Sequence, residues 1–128
     1  MGRLDGRTIL IVDDDEDILE SMDLAMRAEG ATTMTAADGT EAVAQCTAHE
    51  PEVVILDMML PRRSGFLILE DLQGLDHPPV IIMVTANEGR RHMAYAKSLG
   101  VHDYLIKPIS LDRLIDSVCT HLEAGGGE

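Results

Sequence analysis

Thr8-Ile9-Leu10-Ile11-Val12-Asp13-Asp14-Asp15 is the stretch that decides the fold. Its apolar positions are consecutive rather than alternating, the pattern of a strand covered on both faces, and three carboxylates follow at once. The same sentence is written twice more. Val53-Val54-Ile55-Leu56 runs into Asp57, and Val80-Ile81-Ile82-Met83-Val84 runs into Thr85. Thr32 to Ala36 is a weaker strand, and Tyr104-Leu105-Ile106 is a brief one that leads into Lys107-Pro108.

Helical spacing fills the intervals. Ile18, Met22, Ala25 and Met26 mark a helix from Glu16 to about Glu29, which Gly30 stops. Asp38 stands three residues before Glu41, a capping-box-like start to a helix carrying Ala42, Val43 and Cys46. His49 falls in the loop before the third strand, and Leu60 to Gly65 is a second loop. Short helices are expected from Phe66 to about Gln73 and from about Glu88 to Leu99. The last helix carries Leu111, Leu114, Ile115, Val118 and Leu122 on one stripe. Five strands, each followed by a helix, specify an α/β fold with a parallel sheet and helices on both faces. One domain, residues 1–124, accounts for the pattern, and Gly125 to Glu128 reads as a flexible tail or the start of a linker.

Composition narrows the classes. Aromatics are 2% of the 128 residues, so Val, Ile, Leu, Met and Ala must build the core. A formal net charge of −13 argues against direct nucleic-acid or anionic-membrane binding, which need clustered positive charge. Cys46 and Cys119 fall on apolar helical stripes outside any metal-spaced motif, so both are expected as reduced core residues. No apolar run reaches the roughly 20 residues of a membrane span, and Met1 to Arg7 is short, polar and charged. A cytoplasmic protein is expected.

Open α/β sheets bind ligands beyond the carboxyl ends of their strands. Asp13, Asp14, Asp15, Asp57, Thr85 and Lys107 are all delivered there. Crowded carboxylates repel, and a divalent cation resolves the conflict. Oxygen ligands without His or Cys favour a hard ion, Mg²⁺ first and Mn²⁺ second. One Asp suffices to cap a helix, which accounts for Asp15 better than for Asp13 and Asp14. A carboxylate can also attack phosphorus to give an aspartyl-phosphate, a transfer that needs positioning and neutralisation of the phosphoryl oxygens. Asp57 is the candidate acceptor. Lys107, the Thr85 hydroxyl and the Ala86 N–H are the candidate neutralising groups.

Taken together, Ile-Val-Asp13-Asp14-Asp15, Leu-Asp57-Met-Met-Leu-Pro61 with Gly65, Val-Thr85-Ala86 and Asp-Tyr104-Leu-Ile-Lys107-Pro108 resemble the receiver domains of two-component response regulators. The resemblance spans Thr8 to Leu122. It implies a flavodoxin-like three-layer sandwich with strand order 2-1-3-4-5 and a cis Lys107–Pro108 bond. It further implies phosphoryl transfer to Asp57 from a sensor histidine kinase or histidine phosphotransfer protein. Mg²⁺ would be held by Asp13, Asp14, Asp57 and the Met59 carbonyl. Thr85 and Tyr104 would act as the switch pair that alters the surface of the fourth helix, fifth strand and fifth helix. That surface would control a downstream protein or output domain, or form a phosphorylation-dependent homodimer. The domain would be a phosphoacceptor rather than an enzyme in its own right.

Several features stand beside that core. Leu60 occupies a place where Met is common in the family, and neither Met59 nor Asn87 is a fixed residue there. Arg90, Arg91, His92 and Lys97 make the fourth helix basic, as a solvated face or a patch for an acidic partner. Arg62 and Arg63 flank the acceptor loop. A phosphatase of the aspartyl-phosphate type would need a second Asp two residues after Asp57, where Met59 stands. An unphosphorylated pseudo-receiver that acts only as an interaction module would lack an Asp or the Lys, and none is lacking. A nucleotide-binding fold would need a glycine-rich loop after the first strand, which is absent from the sequence.

Overall fold

The computed structural model describes residues 2–58, 60, 65–86 and 90–126, the side chains of 90–92 and 124–126 excepted. Strands β1 (Thr8–Val12), β2 (Thr32–Ala36), β3 (Val53–Leu56), β4 (Val80–Thr85) and β5 (Asp103–Ile106) alternate with five helices. The helices are α1 (Glu16–Ala28), α2 (Gly39–His49), α3 (Gly65–Gln73), α4 (Arg90–Ser98) and α5 (Leu111–Gly126). All four strand pairings are parallel, and the order is β2-β1-β3-β4-β5. The Lys107–Pro108 peptide bond is cis.

Unbroken apolar runs make both faces of the sheet dry. Along β1, Ile9 and Ile11 join one core with Met22 and Met26 of α1 and Leu114, Val118 and Leu122 of α5. Leu10 and Val12 point the other way, into a core with Ala42 and Cys46 of α2, Ile68, Leu69 and Leu72 of α3, and Ala96 of α4. Period-two alternation thus deals each strand's side chains to two helical layers, two helices on one face and three on the other. Edge strand β2 departs from this rule: Thr32 and Thr35 are exposed and only Ala36 is buried, which is why its sequence signal is weak.

Element ends follow local chemistry. Asp15 caps α1, its Oδ1 accepting from the N–H groups of Asp17 and Ile18 at 3.0 and 3.2 Å. Gly30 follows α1 with φ +94°, as a helix-stopping glycine should. Asp38 caps α2 through the Glu41 N–H at 2.9 Å, but the Glu41 carboxylate reaches one residue further back, to the Ala37 N–H. α2 continues through His49, so that histidine closes a helix instead of lying in a loop, and Glu50 leaves it in left-handed backbone. α5 likewise runs through Gly126, which puts the first two residues of the expected tail in the helix. Both cysteines are buried thiols, and burial pushes that of Cys46 up to about 11.

Sequence alone does not announce the part played by residues 2–7. Leu4 is 1% exposed, packed into the α1–α5 core. Its N–H donates to the Glu29 carbonyl at 2.8 Å. Arg3 pairs with Asp116 of α5 and Arg7 with Glu52, both at 2.7 Å.

Candidate functional site

The order β2-β1-β3 makes β1 and β3 neighbours whose outgoing connections part to opposite sides, opening a crevice beyond Val12 and Leu56. Backbone bonds carry the pairing one residue past each strand: Asp57 N–H donates to the Val12 carbonyl at 3.0 Å, and Asp13 N–H to the Ala36 carbonyl at 3.2 Å. Asp13 and Asp57 are therefore fixed side by side. They are buried, at 1% and 5% exposure, and Asp14 is exposed beside them. One carboxylate oxygen from each of the three lies within 4.8 Å of the others.

Lys107 arrives from the far edge. Its N–H donates to the Thr85 carbonyl at 2.8 Å, which ties the end of β5 to the end of β4. Its Nζ donates to Asp13 Oδ2 at 2.8 Å and to Asp57 Oδ2 at 3.2 Å. Burial works against the ammonium, but the Asp13 hydrogen bond and the charges of Asp57 and Asp13 outweigh it and hold its pKa above the ordinary lysine value. Among the described residues, this ammonium offsets part of the charge of the three carboxylates. The Asp13 Oδ1 accepts the Asp15 N–H at 2.9 Å, which aims its other oxygen into the crevice.

Thr85 is fully buried at the end of β4, with Ala86 exposed just beyond. Tyr104 is 6% exposed and sits in the core shared with α3 and α4, not at a half-wet edge. Its hydroxyl donates to Met58 Sδ across 3.9 Å, and burial raises its pKa. Met58, the residue after Asp57, is not among the candidates read from the sequence. Gly65 lies close against it: a Cβ on Gly65 would lie 2.6 Å from Met58 Cα and 2.9 Å from the Asp57 carbonyl oxygen. Only glycine lets α3 start that close. Met59, Arg62, Arg63 and Asn87 lie outside the described residues, as do the side chains of Arg90, Arg91 and His92.

The donor set fits a hard divalent cation: three carboxylates in one crevice, and no other group of three or more His, Cys, Asp or Glu among the described residues is so arranged. An apolar trough of about 590 Å³ borders the crevice, running from Ile18 and Met22 of α1 to Ile109 and Leu111 before and in α5.

Comparison with known proteins settles the family. The family model described as the response regulator receiver domain matches residues 9–119. The chain belongs to that family. Receiver domains serve two-component signal transduction, and Mg²⁺ in an acidic pocket and an aspartyl-phosphate are typical of them. A probable transcriptional regulatory protein of Mycobacterium tuberculosis, TcrX, is 34% identical over 117 residues, 90% of this receiver and 50% of that protein. The chain thus spans about half the length of that relative. The receiver domain of a putative LuxO repressor from Vibrio parahaemolyticus superposes with a TM-score of 0.88 at 28% identity, covering 92% of this chain and 91% of that one. CheY of Borrelia burgdorferi, solved in a complex with CheX, BeF3 and Mg²⁺, gives 0.86 at 25% identity over 91% of this chain and 89% of that one. Among the described residues, no helix is long and apolar enough to cross a membrane.

Proposed function

We propose that Asp57 accepts a phosphoryl group in a Mg²⁺-dependent reaction and that this receiver is the input of a two-component switch. The observation that carries the proposal is the convergence of Asp13, Asp14 and Asp57 within 4.8 Å, with the Lys107 Nζ on two of them. Asp13, Asp14, Asp57 and the carbonyl of Met59 would hold the ion, which when bound offsets negative charge on the phosphoryl oxygens.

An Asp57 carboxylate oxygen attacks the phosphorus of a phosphohistidine on a sensor kinase or phosphotransfer protein. The O–P bond forms as the P–N bond breaks, and the leaving imidazole keeps the electron pair and takes a proton. Lys107 is already aimed at the acceptor and would turn its donors to the phosphoryl oxygens, joined by the Thr85 hydroxyl and the Ala86 N–H. A protein donor seated over Asp57 would cover the apolar trough beside Lys107 and Ala86. Residues 1–124 form the receiver unit in this proposal, with its contacts made to proteins and not to nucleic acid.

Thr85 and Tyr104 form the switch pair. Phosphate interacts with the Thr85 hydroxyl in one of two states, and the population shifts toward that state. The surface of α4, β5 and α5 then changes its affinity for an output domain, a downstream protein or a second copy. The Borrelia relative, solved with BeF3 and Mg²⁺, supports the chemistry by kinship.

Incubation with acetyl phosphate or a phosphohistidine donor should give Mg²⁺-dependent, hydroxylamine-labile labelling, read by intact-protein mass spectrometry. Asp57→Asn should abolish it. Unchanged labelling in that variant would overturn the assignment.

A further inference from the structure

His102 stands one step ahead of the first β4–β5 ladder pair, Ile82 with Asp103. Its backbone N–H donates to the Ile81 carbonyl at 2.9 Å, and its ring Nδ1 accepts the Ile81 N–H at 3.1 Å. The imidazole thus supplies the acceptor for the Ile81 N–H just ahead of the ladder. An amide N–H can only donate, so Nδ1 must carry a lone pair, and the ring is neutral with its proton on Nε2. An imidazolium has no acceptor to offer.

The facing histidine behaves differently. His121 of α5 meets His102 edge to face, with ring centroids 6.2 Å apart, and its Nδ1 lies 2.8 Å from the Ser117 carbonyl. A carbonyl can only accept, so that nitrogen donates whether the ring is neutral or charged. Glu50 and Glu52 before β3 and His77 before β4 line the same cavity as His102. Asp103 is committed elsewhere: Oδ1 accepts the Tyr104 N–H at 2.9 Å, and Oδ2 the Ser117 hydroxyl at 2.7 Å.

We propose that His102 is an acid-released stitch: protonation breaks its bond to Ile81 and loosens the start of β5, the strand that carries Tyr104 and leads into Lys107. Burial first and His121 second hold the His102 pKa below the ordinary imidazole value. The sign follows from that direction. The stitch contributes fully above the unfolded value of about 6.5 and is lost as pH falls through the lower folded value.

Amide hydrogen exchange by NMR between pH 5 and 8 tests this on the unmodified, metal-free protein, apart from any phosphorylation. After correction for intrinsic rates, protection of the Ile81 amide relative to β1 amides should fall on the order of ten-fold toward pH 5. His102→Asn places an acceptor oxygen where Nδ1 was and does not titrate, so it should flatten that dependence and keep the protection seen at pH 8. His121→Gln should keep the drop, because the acceptor of the Ile81 N–H is the His102 ring. A wild-type profile independent of pH, or a drop that persists in His102→Asn, would overturn the proposal; so would its disappearance in His121→Gln.

Discussion

At the N-terminal ends of the strands, polar groups are matched locally. Arg7 meets Glu52 at 2.7 Å, His102 meets Ile81, and Leu4 plugs the seam between α1 and α5. At the C-terminal ends of the same strands, two buried carboxylates and an exposed third share the crevice with the Lys107 ammonium. Both ends hang on the same hydrogen-bonded ladder, so the backbone does not distinguish them. Side chains do: one rim pairs its charges across neighbouring strands, and the other gathers three carboxylates around the Lys107 ammonium.

That contrast can be broken by substitution. The largest effect belongs to the paired rim. Leu4→Ala empties a fully packed site and should cost about 2–5 kcal/mol in urea unfolding, while Mg²⁺ affinity stays put. A matching loss of Mg²⁺ affinity would mean that the two rims are not separable. Next comes the acidic rim. Mg²⁺ at a hundred-fold excess over its Kd should stabilise the protein by about 2.7 kcal/mol, read as a rise in Tm. Asp14→Asn should shrink that gain and leave the metal-free Tm equal or higher, since one of three repelling charges has gone. A fall in the metal-free Tm would show that Asp14 is structural. The smallest effect returns to the first rim: Arg7→Ala removes a half-exposed ion pair and should cost under about 1 kcal/mol in denaturant unfolding, less in high salt.

Much of this was legible in the sequence because it is local. Consecutive apolar residues in β1, β3 and β4 report burial on both faces, and caps at Asp15 and Asp38 report helix starts. The site was legible for a related reason. In a parallel sheet every strand ends at the same rim, so Asp13, Asp57 and Lys107 meet once the strands are placed, and Thr85 ends the strand between them. What stayed hidden depends on pairings across the chain. His102 matters only because the β4–β5 register sets it against Ile81. Leu4 is a single apolar residue in a polar segment, and nothing nearby in sequence says that α5 lies over it. Met58 comes to prominence through contact with Tyr104, 46 residues away. Where helices stop is equally non-committal in the sequence, as the extra residues of α2 and α5 show.

Phe66 and Tyr95 meet edge to face with centroids 5.0 Å apart, and Tyr104 lies in the core cluster against which Phe66 packs. The chain has no Trp, two Tyr and one Phe. Every aromatic chromophore of the protein therefore sits on α3, α4 or β5, and none on α1 or α5. Near-ultraviolet light sees this receiver from one side only, the side that includes Tyr104, and a spectrum of the whole molecule is in effect a spectrum of that face.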